Sequence, residues 1–426
     1  MSEQLLLCSL SQLIIDEIKF SDGTIQRDIL GGGGAHAIYG MRIWFPSPES
    51  QCIAYLVHAG YDFPPLVIQK LLSLNISLTI TFHSTLPSIR GLNTFTTPNH
   101  RVFTYQTRPI GTVPADLPTN YLNVRIFHFI CTPVRAMQHV NAILQLRDKM
   151  LPRPVFVWEP VPDVTNKKCF EQCVEAMKMV DVVSPNHEEA AAFLGLISAE
   201  EGDDDGDNDM NKFLDEEILV NMADQFLRYQ IGVNGMGCVI IRASYKGALV
   251  ATKEKKELIP PYWTCTNTTT DNNIISEEKS RIKSNPRVVD VTGAGNSFCG
   301  GFAAGLLKSN YDVFEAALYG TVSASYTVEQ LGLPRLTIDE RTSNECWNGD
   351  SYLHHQQQHY QNDIISEDVY DGDENPNVRL SKLRQRVKDK LKERLKEKLR
   401  ERIKGKLRRK ENGMEFYDEN SDEVFE

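Results

Sequence analysis

Short apolar runs rich in β-branched residues alternate along this chain with segments of helical periodicity, and that alternation narrows the available folds more than anything else in the sequence. Arg125 to Cys131, Pro154 to Trp158, Val180 to Val183 and Cys238 to Ile241 read as strands. Met137 to Leu146, Cys169 to Met179, Glu188 to Leu194 and Glu217 to Arg228 read as helices. Strands joined through helices line up in parallel rather than as hairpins, and such a sheet needs helical cover on both faces. The expected class is therefore α/β with a mainly parallel central sheet, and ligands belong at the carboxyl ends of its strands. Leu5 to Ile15 reads as the first strand.

A length of 426 residues allows one large domain plus extensions, and 41% hydrophobic with 24% charged residues is ordinary for a globular protein. Nine cysteines, an odd number without a Cys-x-x-Cys pair, argue against a disulfide framework and fit a reducing compartment. Cys169 and Cys173, four apart on one predicted helix, read as structural thiols. No apolar run is long enough to span a membrane, and no basic flank precedes Leu5 to Ile15. The cytoplasm is the expected location.

The chemistry is concentrated in Asp290-Val291-Thr292-Gly293-Ala294-Gly295-Asn296-Ser297-Phe298-Cys299-Gly300-Gly301. Its glycines permit close backbone approach, and its N–H groups can converge on an anion at the start of the helix predicted by the apolar run Phe302 to Leu307. The segment resembles the signature of the PfkB/ribokinase family of carbohydrate kinases, Asp-Thr-x-Gly-Ala-Gly-Asp, and the resemblance extends over about residues 5 to 340. It implies a ribokinase-like fold with a small β lid, for which Lys19 to Leu30 and Arg101 to Arg108 are candidates. It also implies ATP with magnesium as cofactors, a sugar-like acceptor, and a homodimer as one possible assembly. In the family the last Asp of the signature takes the proton from the acceptor hydroxyl; here that position is Asn296. A carboxamide has no useful basicity near pH 7, and a general base is worth ~10²–10⁴ in rate. The phosphate cradle, Gly293, Ala294 and Gly295, is kept while the base is lost.

Further residues match the family position by position. Asp16 and the turn Gly31-Gly32-Gly33-Gly34-Ala35-His36 resemble the sugar grip, so the resemblance assigns substrate contacts to Asp16, Gly32, Gly33 and His36, with His36 where Asn is usual. A flexible loop is the plainer reading of four glycines. Gly60-Tyr61-Asp62 resembles a short turn after the second sheet strand. Asn186 and Glu189 match the family's Asn-x-x-Glu, which implies a hold on magnesium-bound water; from the residues alone they are equally an N-cap and a first-turn Glu. Asn234-Gly235-Met236-Gly237 resembles a nucleotide-side turn, which assigns Gly235 and Gly237 to nucleotide binding. Asp290 and Thr292 match positions that organise a monovalent cation such as potassium in many relatives. Within the family the pattern is most similar to fungal proteins of the "maintenance of killer" type, which implies a role in stabilising double-stranded-RNA virus particles.

Outside the expected 1–340 domain the composition changes. Polar insertions are expected near 199–211, where seven of the ten residues from Glu200 to Asp209 are acidic, and near 264–285. A polar linker is expected over 341–378, where His355 and His359 have helical metal-ligand spacing without a placed third ligand. Arg379 to Glu411 carries 17 Lys or Arg and 5 Asp or Glu, a local net charge of +12 against −11 for the whole chain, which leaves −23 on the remainder. Leucine, valine or isoleucine every four residues from Leu383 to Leu407 drifts by ~40° per step around a helix, giving a winding stripe rather than a coiled-coil seam. A solvated basic helix is expected there, with RNA or an anionic membrane surface as candidate partners, before an acidic tail at 412–426. Three functions stay open at this point: a weak or non-catalytic kinase-like protein, an active sugar or nucleoside kinase using water or another carboxylate as base, and an RNA-associated scaffold. Restoring Asp at position 296 is expected to raise phosphoryl transfer by orders of magnitude if the rest of the site is intact.

Overall fold

The computed structural model describes residues 4–97, 100–161, 169–197, 210–264, 285–338, 343–348 and 375–411. Its first strand, β1 (Leu7–Ser9), stops short because the chain leaves the main sheet at Leu10 and re-enters sheet structure as β2 (Ile14–Lys19) in a separate layer. The apolar run Leu5 to Ile15 therefore serves two sheets and is not one strand. β2 turns into β3 (Ile25–Gly31), and α1 (Gly33–Arg42) returns the chain to the body, followed by β4 (Ile53–Ala59), α2 (Pro65–Ser73) and β5 (Ser77–Phe82). The hairpin β6 (Arg90–Thr97) and β7 (His100–Tyr105) completes a four-stranded lid of order β3-β2-β6-β7.

The main sheet grows through β8 (Ile126–Cys131), α3 (Pro133–Leu146), β9 (Val155–Pro160), α4 (Phe170–Met179), β10 (Val182–Val183), α5 (His187–Phe193), α6 (Glu216–Leu227) and β11 (Cys238–Arg242). An antiparallel edge, β12 (Ala248–Ala251) and β13 (Lys256–Ile259), closes it, giving the nine-stranded order β13-β12-β11-β10-β9-β8-β1-β4-β5. From β11 to β5 every pairing is parallel. The chain ends its body with α7 (Ala294–Lys308), α8 (Val313–Thr327) and the small hairpin β14 (Leu336–Ile338) and β15 (Glu345–Trp347), before α9 (Pro376–Glu411).

Period-2 alternation divides the side chains of the sheet between its faces. Cys8, Phe127, Phe129, Phe156, Trp158, Val239 and Ile241 join one core with Val140, Met177 and Phe226 from α3, α4 and α6. The residues between them, Ser9, His128, Glu159 and Arg242, face the other way. Four polar side chains are thereby delivered to one face of the sheet, Ser9, Glu159 and Arg242 at or next to the carboxyl ends of their strands and His128 midway along β8.

The compact body extends to Leu380, with Ser381–Glu426 as a second unit. The tract expected to be linker from 341 onward contains β15, whose Glu345 accepts from both terminal nitrogens of the fully buried Arg42 at 2.8 and 2.6 Å. Arg379, 4% exposed, lies 3.7 Å over the Tyr326 ring centroid and pairs with Glu329 at 2.7 Å. The acidic stretch from Glu200 to Asp209, nearly all of the 264–285 tract, His355, His359 and the tail 412–426 lie outside the described residues. Among the described residues no helix is long and apolar enough to cross a membrane.

Candidate functional site

α7 begins at a left-handed residue, Gly293 (φ 76°), and no side chain caps it. The first N–H groups of a helix have no intrahelical acceptor; here the Ala294 N–H is taken up by the Val291 carbonyl at 3.2 Å, which leaves those of Gly295 and Asn296 as the donors of the turn. A side chain at Gly293 would also run into the ring of His36, which is 3% exposed on α1. At Gly295 a Cβ would collide with the guanidinium of Arg242. What lies against them leaves room for no more than glycine at either position, and at Gly293 the left-handed backbone favours it as well.

Asn296, in the first turn of α7, donates from Nδ2 to Oε2 of Glu159 at 2.9 Å. Glu159 is 1% exposed. The same oxygen lies 2.8 Å from the Arg242 guanidinium, and its Oε1 lies 2.7 Å from His128 Nε2. A carboxylate only accepts, so Nε2 carries the proton, and the ring is fixed from its other side by Ser9 Oγ at 3.0 Å from Nδ1. Burial pushes the Glu159 carboxyl up, but Arg242, then His128 and Asn296, outweigh it and hold the group below the usual carboxylate range. Glu159 is an ionised acid with its oxygens occupied, which makes it a poor proton acceptor. An acid does stand beside the Gly293–Asn296 turn, contrary to the simple picture of a missing base, and it is clamped.

Arg242 extends the network to α5. Its other terminal nitrogen lies 3.4 Å from Oε2 of Glu189, which also accepts the Asn186 backbone N–H at 2.7 Å. Asn186 Oδ1 accepts in turn from the Glu189 N–H at 2.7 Å, so the pair forms a reciprocal capping box. Burial raises the Glu189 carboxyl and Arg242 offsets it only in part. Burial also opposes the charge on Arg242, and Glu159 ahead of Glu189 restores it, leaving the guanidinium more basic than usual. The donor set fits a hydrated magnesium poorly, because the carboxylate that would orient its waters already holds a guanidinium and a backbone N–H. Among the described residues no group of three His, Cys, Asp or Glu could hold a metal ion. Asp290 Oδ1 is turned onto its own loop, accepting from the Thr292 N–H at 2.9 Å and hydroxyl at 2.8 Å.

The expected substrate residues divide between two places. Gly33 lies against Asn296, a Cβ there being 3.3 Å from Nδ2. Gly32 (φ 86°) precedes α1 as its N-cap. Asp16 is buried in the lid sheet, in register with Ile29 and Gly91 and packed against Gly31. Gly235 and Gly237 precede β11, where Gly237 packs on Asp181 at the opening of β10. Arg242 ends β11, so those two glycines stand at the opposite strand end from Asn296 and are not brought to this site. Gly60-Tyr61-Asp62 follows β4, and Asp62 accepts from Ser88 N and Arg90.

Glu159, Arg242 and His128 escaped the sequence reading. The signal was present: Glu159 and Arg242 are charged residues closing apolar strands, at the strand ends where a parallel sheet binds ligands.

Residues 132–338 match the pfkB family of carbohydrate kinases. An uncharacterised protein of Schizosaccharomyces pombe is 29% identical over 354 residues, covering 82% of this chain and 91% of its own. Protein MAK32 of Saccharomyces cerevisiae is 27% identical over 359 residues, covering 80% and 88%. Among solved structures, ribokinase from Giardia lamblia superposes with a TM-score of 0.55 at 15% identity, over 78% of this chain and 94% of its own. An E. coli chain of ribokinase II type, in complex with ATP and magnesium, gives 0.52 at 13% identity, over 77% and 94%. At such identities the structures speak to the fold alone, and that fold, a ribokinase-like α/β layer structure with a β lid, agrees with the pfkB match over residues 132–338.

Proposed function

We propose that this chain is a kinase-like protein that binds the phosphates of ATP at the Gly293–Asn296 turn and transfers phosphoryl groups slowly or not at all. The observation that carries this reading is the hydrogen bond from Asn296 to a Glu159 already held by Arg242 and His128. Neither residue can take a proton from an acceptor hydroxyl at useful rate: one is an amide, the other an ion-paired acid of lowered pKa. The cluster sets one guanidinium against two carboxylates, so it has no positive charge to spare for a triphosphate. Attraction falls to the N–H groups of the turn, and the expected ATP affinity is modest.

Calorimetric titration of ATP, with and without magnesium, alongside a phosphoryl-transfer assay over sugars and nucleosides, tests the reading. The expected result is binding with little magnesium dependence and turnover ~10² or more below the ~1–100 s⁻¹ of working kinases. Turnover within that range on any acceptor would defeat it, as would absence of ATP binding. The virus-particle role implied by the "maintenance of killer" resemblance is a proposal of the same standing, supported by the likeness to MAK32. It is tested by particle yield in cells lacking the protein.

A further inference from the structure

Beside Asn296, a cavity of about 240 Å³ opens between the lid, the start of α1 and the carboxyl end of β8. It is lined by Gln12, Gly33 and Tyr105 on one side and by Thr112, Thr132 and Arg135 on the other. Its volume is below the ~300–1,000 Å³ of sites for drug-sized molecules, so its occupant is small. Arg135 is the one side chain with a full charge among the described lining residues, and no carboxylate is among them. The neighbouring His139, also in the wall, has its pKa lowered to about 4 by burial and then by Arg135, so it is neutral at pH 7.

Arg135 meets only weak acceptors, His139 Nε2 at 3.4 Å from its Nε and the Thr112 carbonyl at 3.4 Å from a terminal nitrogen. No carboxylate pairs with it among the described residues, in contrast to Arg42, Arg90, Arg153, Arg242 and Arg379. Its guanidinium lies against Gly111, where a Cβ would displace it. A planar fork held in place, half-buried and without a counter-anion suits a carboxylate or phosphate group.

We propose that this cavity binds a small polyol bearing an anionic group, a sugar acid or a sugar monophosphate, with Arg135 as the residue that selects the anion. The hydroxyl-bearing end of such a ligand then points toward Gly33 and Asn296. The proposal rests on the nucleotide reading only in making this ligand the acceptor; its binding needs no nucleotide.

The test measures binding without ATP, by calorimetry, of matched pairs: ribose against ribose 5-phosphate, and glucose against gluconate, with inorganic phosphate alone as a third probe. The expected result is at least one charged ligand bound tenfold or more tighter than its neutral partner, a preference lost in Arg135→Gln and partly kept in Arg135→Lys. Cooperative thermal unfolding certifies the fold of each variant, and Gly111→Ala, which pushes the guanidinium aside, replaces Arg135→Gln if that variant fails to fold. Equal affinity for charged and neutral partners overturns the proposal, as does a preference that survives Arg135→Gln. Inorganic phosphate binding as tightly as the sugar phosphate overturns the assignment of the rest of the cavity to a polyol. A protein that binds the charged polyol but not ATP sinks the nucleotide reading and leaves this one standing.

Discussion

Asn296 cannot be understood from its own position. Asp at this position raises phosphoryl transfer by orders of magnitude only on the condition that its surroundings are otherwise intact. Glu159 at 2.9 Å removes that condition, since a second carboxylate there shares one guanidinium with the first and one of the two pKa values must rise. Asn296→Asp alone is therefore expected to change phosphoryl transfer less than tenfold, while Asn296→Asp with Glu159→Asn gains more. A gain of a hundredfold from the single variant in a transfer assay would contradict this account. Arg242→Leu leaves Glu159 and Glu189 buried without a cation and is expected to cost about 3–5 kcal/mol, read by denaturant unfolding. The sequence made Asn296 legible because it departs from a contiguous motif. Glu159 and Arg242 lie 137 and 54 residues away from it in the chain, and only the parallel register of β8 to β11 brings them to it.

At the scale of elements, the strands of the main sheet could be read where β-branched and aromatic runs were unbroken, as in β8, β9 and β11. The break at Leu10 could not be read, because the apolar pattern continues through it while the backbone changes sheets. β6 was also missed, since Arg90, Asn93 and three threonines give it no apolar face to signal. The glycines at 235 and 237 show a different limit: a Gly-x-Gly spelling carries no information about which end of a strand it occupies. Within α3, His139 is 3% exposed and its pKa is lowered to about 4 in the fold, against an ordinary value near 6.5. The native state thus resists protonation that the unfolded chain accepts, so its contribution is complete above about pH 6.5 and is lost as pH falls toward 4. The loss is on the order of 3 kcal/mol. Denaturant unfolding at a series of pH values should show that slope in the wild type and a shallower one in His139→Gln.

For the molecule as a whole, the body ends just past Arg379, which is caged by Tyr262, Trp263 and Tyr326 and paired with Glu329. The basic stretch reads on as helix in α9, where Leu391, Leu395 and Leu399 are 56, 60 and 59% exposed. A chain ending at Arg386 keeps Leu383, which is fully buried, and is expected to keep cooperative unfolding, while Arg379→Ala in the full chain lowers its thermal midpoint by several degrees, as loss of a buried ion pair requires. If the full chain is retained on RNA, the short form should lose that retention, and the full chain should lose it steeply between 50 and 200 mM salt, because the contacts go to phosphate.

The chain of contacts from Ser9 through His128, Glu159 and Arg242 to Glu189 has a consequence for the history open to this protein. One base change in a codon turns Asn into Asp, so an acid at position 296 is offered often by mutation. Each such event meets Glu159 already in its seat, and the newcomer brings repulsion before it brings any catalytic benefit. On the reading proposed above, rapid chemistry needs two coordinated steps, of which the first alone sets two carboxylates on one guanidinium, and the network behaves as a ratchet.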